Sequence, residues 1–129
     1  MHPYDFAPDV QTVTGTKKDY YEFVAKNYLN VCSARRVLEI GPCHGHHTKI
    51  IADHGPTYLE CVEADPNQKT QLQSINGVDT VTIDDIWLRN KIQPFAAVAC
   101  FGVLYHHHSP LHLLELFVNC YQPKYIMLD

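Results

Sequence analysis

The chain has 129 residues and a formal net charge of −4, with 46% hydrophobic and 19% charged residues. This length and balance predict one folded domain, residues 1–129, and no segment approaches the roughly 20 apolar residues that a membrane span requires. The negative charge and the lack of a dense Lys/Arg cluster argue against tight electrostatic binding to nucleic acid, but they leave a nucleic-acid substrate open.

The N-terminus and the cysteines both bear on the cellular compartment. The opening segment MHPYDFAPDV has neither a basic start nor an apolar core, so no secretory signal is predicted. Five cysteines form an odd set without any C-x-x-C spacing, which is typical of reduced, mostly buried thiols. We therefore expect a cytoplasmic protein.

The predicted elements alternate between helix and strand along most of the chain. Residues 1–15 are expected to form an irregular arm, and residues 16–30 carry apolar side chains at helical spacing and predict the first helix. Strands are predicted at 36–40, 58–63, 79–83, 95–101 and 125–129, with helices near 46–54, 67–74 and 109–121 and a short helical piece near 85–90. The strands are too continuously apolar to have one wet face. The fold class is therefore α/β, a doubly wound parallel sheet of about five strands with helices on both faces.

Glycine or an acid follows each of the first four strands. These ends are Glu39-Ile40-Gly41, Glu63-Ala64-Asp65, Asp84-Asp85 and Phe101-Gly102. In an open parallel sheet the ligand lies outside the carboxyl ends of the strands, where the strand order reverses. The first end lacks two of the three glycines of a dinucleotide loop, because Cys43 and His46 stand in their places, and no P-loop lysine follows. A phosphate-binding loop is therefore not expected.

The segment LEIGPCHGHH sets an acid, a glycine and a second glycine at Glu39, Gly41 and Gly45. With this motif, residues 20–129 resemble the class I S-adenosylmethionine-dependent methyltransferases, whose first motif is roughly [D/E]-x-G-x-G-x-G. The resemblance implies a Rossmann-like fold, S-adenosylmethionine as cofactor, and methyl transfer to an acceptor that the sequence does not identify. Cys43 stands where the middle glycine usually is, which puts a small side chain against the cofactor.

The resemblance also assigns the cofactor contacts. The glycine loop would pass beneath the methionine end and ribose, and Glu39 would help to hold the amino group. Asp65, with Glu63 as the fallback, would accept the ribose hydroxyls. The full set of predicted cofactor-binding residues is Glu39, Gly41, Pro42, Cys43, Gly45, Glu63, Asp65, Asp84, Asp85, Ile86, Phe101 and Gly102. Asp84 or Asp85 would meet the adenine amino group beside Ile86, although any single acid at a strand end can instead cap a helix.

The fourth strand leads into FGVLYHHHSP. This stretch resembles the G-V-L-Y-H-x-x-S-P turn of enzymes that transfer a carboxymethyl group from carboxy-S-adenosylmethionine to the tRNA wobble uridine. Tyr105 and His106 adjoin the expected methyl group and are the candidate catalytic residues, since either can orient or deprotonate an acceptor. The flanking domain that those enzymes use for tRNA is absent from this sequence, so their substrate is not carried over.

Histidines are concentrated on the turns after the first and fourth strands. They are His44, His46, His47, His106, His107 and His108. The two strands are expected to be neighbours, so both groups would face one cleft, and a metal site would need three or four of these imidazoles at about 2 Å from the ion. Histidines on wet loops, pointing outward, are the favoured alternative, and no metal ligand is predicted.

The family usually continues past the fifth strand with another helix and an antiparallel strand pair, whereas this sequence stops at Asp129. We therefore expect a sheet without that hairpin, whose apolar fifth-strand edge is masked by a second subunit or by the N-terminal arm. Several function classes stay open beside the methyltransferase. They are an S-adenosylmethionine-binding protein or subunit without transfer activity, an enzyme of other S-adenosylmethionine chemistry and, less favoured, a histidine-rich metal protein.

Overall fold

A computed structural model describes residues 17–27, 29–86, 91–101 and 109–128. Helices are α1 (Lys17–Asn27), α2 (His46–Asp53), α3 (Lys69–Gln73) and α4 (Pro110–Leu116). Strands are β1 (Arg36–Ile40), β2 (Tyr58–Glu63), β3 (Thr80–Ile83), β4 (Ala97–Cys100) and β5 (Tyr125–Leu128). Among the described residues, no helix has the length and apolarity to cross a membrane.

The strands form one parallel sheet in the order β3-β2-β1-β4-β5, counting the described residues. β1 therefore lies between β2 and β4, so the first and fourth strands are neighbours, as predicted. From β1 the chain builds β2 and β3 on one side and then β4 and β5 on the other. The carboxyl ends of β1 and β4 are adjacent, because Ile40 pairs with Cys100. The doubly wound α/β fold is confirmed, and its switch point lies at the end of β1.

Apolar side chains cover both faces of the sheet, which is why the central strands read as continuous apolar runs. On one face, Leu113 of α4 and Phe117 pack against Leu38 and Val98. On the other face, Ile51 of α2 packs with Val37. Alternate residues of a strand point to opposite faces, so Glu39 of β1 points toward α2 and its neighbours Leu38 and Ile40 point away from it.

Helix boundaries depart from the predictions in three places. The first predicted helix is divided into α1 and a 3₁₀ turn, Leu29–Cys32, and the third begins with a 3₁₀ turn, Pro66–Gln68, before α3. The last predicted helix changes from α4 to a π-helical turn, Phe117–Tyr121. Residues 1–15, most of the short helical piece near 85–90 and the segment 102–108 lie outside the described residues.

Candidate functional site

The turn from β1 into α2 takes three residues through left-handed backbone conformations. These residues are Gly41, Cys43 and Gly45, with φ of 62°, 54° and 84°. Glycine adopts this region freely, but a residue with a β-carbon does so at a cost. Cys43 thus adopts a conformation that glycine accommodates more easily, at the cost of local strain.

Groups from β2 and α3 fasten this turn. The amide of Gly41 donates to the carbonyl of Val62 at 2.8 Å, and the Gln71 side chain donates to the carbonyl of His44 at 2.9 Å. The amide of Cys43 donates to Oε1 of Glu63 at 2.9 Å. The turn is therefore held by tertiary contacts from the next βα unit in addition to its own Gly45 to Pro42 hydrogen bond.

Glu39, the leading acid of the motif, is buried between β1 and α2 and is 2% exposed. Its Oε1 accepts a short hydrogen bond from the Thr48 hydroxyl and a longer one from the Cys61 thiol. Burial raises the pKa of Glu39 to about 7, against the lowering effect of the hydrogen bonds from Thr48 and Cys61, while the nearby Glu63 carboxylate raises it further. Its assignment to the cofactor amino group stays a prediction.

The two acids at the end of β2 occupy different surroundings. Glu63 is 8% exposed, and its second oxygen accepts the amide of Asp65 at 2.8 Å. Asp65 is exposed and caps the following 3₁₀ turn, with Oδ1 accepting the amide of Asn67 at 2.9 Å. The capping alternative for Asp65 is therefore realised in the structure. Counting the described residues, its other oxygen has a single long contact, of 3.4 Å from Gln68.

The end of β3 brings a third group of acids to the same side of the sheet. The amide of Asp84 donates to the carbonyl of Glu63 at 3.0 Å, which continues the β2–β3 pairing. Asp84 is half-buried and accepts the amide of Asp85, which is exposed. Ile86 is 6% exposed and belongs to the core cluster on the α4 face. The predicted residues 39–45, 63–65 and 84–86 thus lie at three adjacent strand ends.

At the end of β4, Phe101 is buried and its ring stacks on that of His47, with centroids 4.5 Å apart. The expectation that His47 points outward is wrong, because the first turn of α2 packs this ring against the sheet. His44 and His46 are exposed, with ring centroids 6.2 Å apart. Across the described ranges, no three His, Cys, Asp or Glu side chains converge on one point.

Several predicted residues lie beyond the described part of the chain. Gly102 and the candidate catalytic residues Tyr105 and His106 fall in the segment 102–108. Sequence reasoning missed three residues that support the site. Thr48 and Cys61 donate to Glu39, and Gln71 donates to the carbonyl of His44. The one signal for Thr48 is its place in the first turn of α2, where a hydroxyl can reach back to a strand-end acid.

Comparison with known proteins identifies the class of structures that this fold resembles. No family model matches the chain. Coclaurine N-methyltransferase bound to N-methylheliamine and SAH superposes with a TM-score of 0.72 at 14% identity, over 86% of this chain and 34% of that one. An S-adenosylmethionine-dependent methyltransferase from Mesorhizobium loti gives 0.65 at 14% identity, over 76% and 46%. Magnesium protoporphyrin IX methyltransferase from Synechocystis PCC 6803 with bound SAM gives 0.60 at 14% identity, over 81% and 52%.

These likenesses show that the chain has the class I methyltransferase fold. In sequence, the chain is similar to the tRNA U34 carboxymethyltransferase of Chromohalobacter salexigens, 29% identical over 101 residues, which cover 69% of this chain and 30% of the relative. The resemblance seen in the sequence is confirmed. The chain spans about a third of this curated relative and a third to a half of the structures that it resembles.

Proposed function

We propose that this chain is a single S-adenosylmethionine-binding domain that transfers the methyl group of the cofactor to an acceptor. One observation carries the proposal. The turn at residues 41–45, which carries the predicted first motif and has three residues in left-handed conformations, lies at the switch point of the sheet and beside acids at the ends of β2 and β3. Relatives of the same fold hold SAM or SAH.

The residues fit such a cofactor by their chemistry. Asp65 and Asp85 are exposed and Asp84 is half-buried, so their carboxylates are accessible as acceptors for ribose hydroxyls and an adenine amino group. Gly41 and Cys43 are partly exposed and offer backbone to the methionine end. Phe101 and Ile86 lie at the flanking strand ends, but they are 5% and 6% exposed and pack in the core, so they would support the cofactor pocket from within.

S-adenosylmethionine supplies an activated methyl group on a sulfonium, and the acceptor supplies the electron pair that forms the new bond. The task of the protein is to align the two groups in line, which by itself removes a large part of the barrier. The resemblance assigns the acceptor side to Tyr105 and His106. A nucleic acid remains a candidate acceptor, supported by the likeness to a tRNA-modifying relative.

The test is calorimetric titration of the protein with S-adenosylhomocysteine, for the wild type and two variants. Asp65→Ala removes the exposed acid at the end of β2 and is expected to weaken binding by about tenfold or more, the loss of a charged hydrogen-bonding partner. Asp53→Ala is the matched control, because Asp53 is also an exposed acid and lies at the far end of α2. Its affinity should equal that of the wild type.

Incubation with S-adenosylmethionine, followed by mass spectrometry, separates the function classes. Consumption of the cofactor only when an acceptor is added supports methyl transfer. Breakdown without acceptor indicates other chemistry on the cofactor, and tight binding without turnover indicates a binding subunit. Absence of binding by folded protein, with metal retained through purification, would favour the histidine-rich metal protein.

The same proposal includes a homo-oligomer formed through the β5 edge, in a cytoplasmic setting. β5 is the outer strand of the described sheet, and Leu128 on it is 40% exposed, so pairing or cover is needed to protect this edge. The five cysteines, which all lie within the described residues, are reduced thiols and four of them are buried, which fits a reducing compartment. Sedimentation that gives a dimer supports the first part, and a monomer with an intact N-terminal arm argues for the arm as the cover.

A further inference from the structure

Cationic side chains lie over aromatic rings at the amino ends of the central strands. The guanidinium carbon of Arg36 is 4.5 Å from the centre of the Tyr58 ring. The guanidinium carbon of Arg35 and Nζ of Lys124 are 5.1 Å and 5.6 Å from the centre of the Tyr125 ring. We call the three cations the basic edge, and they lie at the end of the sheet opposite to the candidate cofactor site.

Backbone hydrogen bonds fix the place of the basic edge in the sheet. The amide of Thr57 donates to the carbonyl of Arg35, and the amide of Ala96 donates to the carbonyl of Arg36, both at 2.9 Å. The amide of Lys124 donates in turn to the carbonyl of Ala96 at 2.9 Å. The cations therefore stand at the starts of β1 and β5, with β4 between them, which spans roughly 10 Å at the usual spacing of strands.

The charge of the basic edge is not neutralised by a described carboxylate. Within the described ranges, the side chains of Arg35, Arg36 and Lys124 contact rings and backbone carbonyls. Arg36 and Lys124 are exposed. An acid at the same end of the sheet, Asp79, accepts the amide of Leu59 at 2.8 Å, and β2 separates its strand from β1. The basic edge thus offers positive charge on a chain of net charge −4.

The chemistry of these side chains favours a single-stranded nucleic acid as the partner. Guanidinium and ammonium groups without a carboxylate partner bind phosphate, and a guanidinium also stacks on flat rings, including bases. The rings beneath Arg36 restrict its side chain, so less freedom is lost when a ligand binds. A nucleic-acid strand offers both repeated negative charge and flat bases, whereas an acidic peptide offers charge alone.

We propose that the basic edge binds the phosphodiester backbone of single-stranded nucleic acid, with the exposed Arg36 stacking on a base. Binding is weak and sensitive to salt, because three cations neutralise at most about three phosphates. The proposal does not rest on methyl transfer, since its residues lie at the opposite end of the sheet from the cofactor acids. It gives the chain a nucleic-acid surface whether or not nucleic acid is the acceptor.

The experiment follows the fluorescence anisotropy of a labelled single-stranded RNA of mixed sequence, about 12 nucleotides long, at salt concentrations from roughly 25 to 200 mM. The test variant, Arg36→Gln with Lys124→Gln, removes two charges from the basic edge. Lys49→Gln with Lys69→Gln is the matched control, because it removes two exposed charges on α2 and α3, away from the strand starts. The two variants have the same net charge.

The wild type should bind this RNA with a dissociation constant of roughly 10 μM at low salt. The test variant should bind about tenfold more weakly, and its slope of log K against log salt should be shallower by about 1.4, which is two lost phosphate contacts. The control should keep the slope of the wild type. No binding by the wild type, or equal losses in the two variants, would overturn the proposal.

Arg36→Lys separates stacking from charge. Lysine keeps the positive charge but lacks the planar guanidinium, so the slope should stay and the affinity should fall by about threefold. Unchanged affinity contradicts the stacking. A polyglutamate peptide with as many charges as the RNA is the competitor, and it should displace the RNA poorly. Displacement as strong as that by unlabelled RNA would assign the surface to acidic proteins and overturn the proposal.

Two further measurements keep the outcome clear. If the melting temperature shows that Arg36→Gln does not fold, Lys124→Gln alone decides, because Lys124 is exposed, and its slope should be shallower by about 0.7. All folded variants should bind S-adenosylhomocysteine like the wild type. Failure of the wild type to bind that compound counts against the proposed function, whereas failure to bind RNA counts against the basic edge.

Discussion

The turns that follow β1 and β2 are built in opposite ways. The turn after β2 is stabilised locally, because Asp65 caps the 3₁₀ turn that begins with Pro66. The turn after β1 has three left-handed residues and no side-chain cap on α2, and it depends on Val62, Glu63 and Gln71 from elsewhere in the chain. The turn after β2 is therefore determined by neighbouring residues of the sequence, whereas the turn after β1 forms only when the sheet is assembled.

The acids of the two strand ends differ in the same sense. Glu63 accepts two backbone amides. Among the described residues, Glu39 has only a hydroxyl and a thiol as its hydrogen-bond donors, and it lies beside another carboxylate. Amides pointed at an ionised oxygen compensate for lost water better than a hydroxyl and a thiol. The turn after β1 is thus held by Glu63, whose oxygens both accept amides, and it follows Glu39, whose pKa is raised by burial.

The largest expected effect comes from Gly45, where the turn after β1 packs directly against side chains from another part of the chain. A β-carbon at Gly45 would approach Ile75 Cδ1 to 2.6 Å and Leu72 Cδ2 to 3.1 Å, with φ at +84°. Backbone strain and overpacking together should make Gly45→Ala less stable by about 3 kcal/mol in urea unfolding.

Gly55→Ala isolates the backbone part of that cost. Gly55 also has a positive φ, +69°, but a β-carbon there meets nothing within 4 Å. We expect it to lose only about 1 kcal/mol, the cost of a left-handed residue alone. Equal losses at the two glycines would mean that the packing of α3 against the turn contributes nothing, and the contrast between the two turns would weaken.

The next effect is the pH dependence that Glu39 imposes. Its pKa is raised from 4.5 to about 7 in the folded protein, so between these values the folded state holds a proton that the unfolded state has lost. Unfolding then releases a proton, and the free energy of unfolding falls as the pH rises from 4.5 to 7. The full loss is on the order of 3 kcal/mol and is complete above pH 7.

Glu39→Gln removes this titration and leaves an oxygen for the Thr48 hydroxyl. The difference in unfolding free energy between variant and wild type should therefore grow in favour of the variant from pH 4.5 to 7 and then stay constant. Urea titrations at intervals of half a pH unit measure it. A difference that is flat over this range would show that Glu39 is solvated or paired more strongly than its contacts indicate.

The sequence predicted the fold of this protein better than it predicted the side-chain contacts within the site. Apolar strands and polar strand ends follow from local pattern, so the sheet and its switch point were accessible from residues such as Glu39 and Gly41. The contact of the Glu63 carboxylate with the Cys43 amide and the burial of His47 could not be predicted from the sequence. Both depend on which side chains meet once β1, β2 and α2 have packed. The capping role of Asp65 was open as an alternative, because any acid at a strand end can cap the helix that follows it.

The smallest effect, and one that changes no stability, concerns the thiols. Cys43 is partly exposed in the turn after β1, whereas Cys32 and Cys61 are buried. Burial and the nearby Glu39 raise the pKa of Cys32 to about 12 and raise that of Cys61 as well, so neither offers a thiolate near neutral pH. Iodoacetamide at pH 8 should therefore label Cys43 first, which peptide mass spectrometry can follow.

Saturation with S-adenosylhomocysteine should slow this labelling, since the proposed cofactor covers the turn, while denaturation should make all five thiols react. The Cys43→Gly variant is the control and should lose the fast phase entirely. Labelling of Cys32 or Cys61 ahead of Cys43 would mean that the interior opens more readily than the turn. In that case the turn after β1 would be more rigid than the interior around Cys32 and Cys61, and the contacts from β2 and α3 would account for that rigidity.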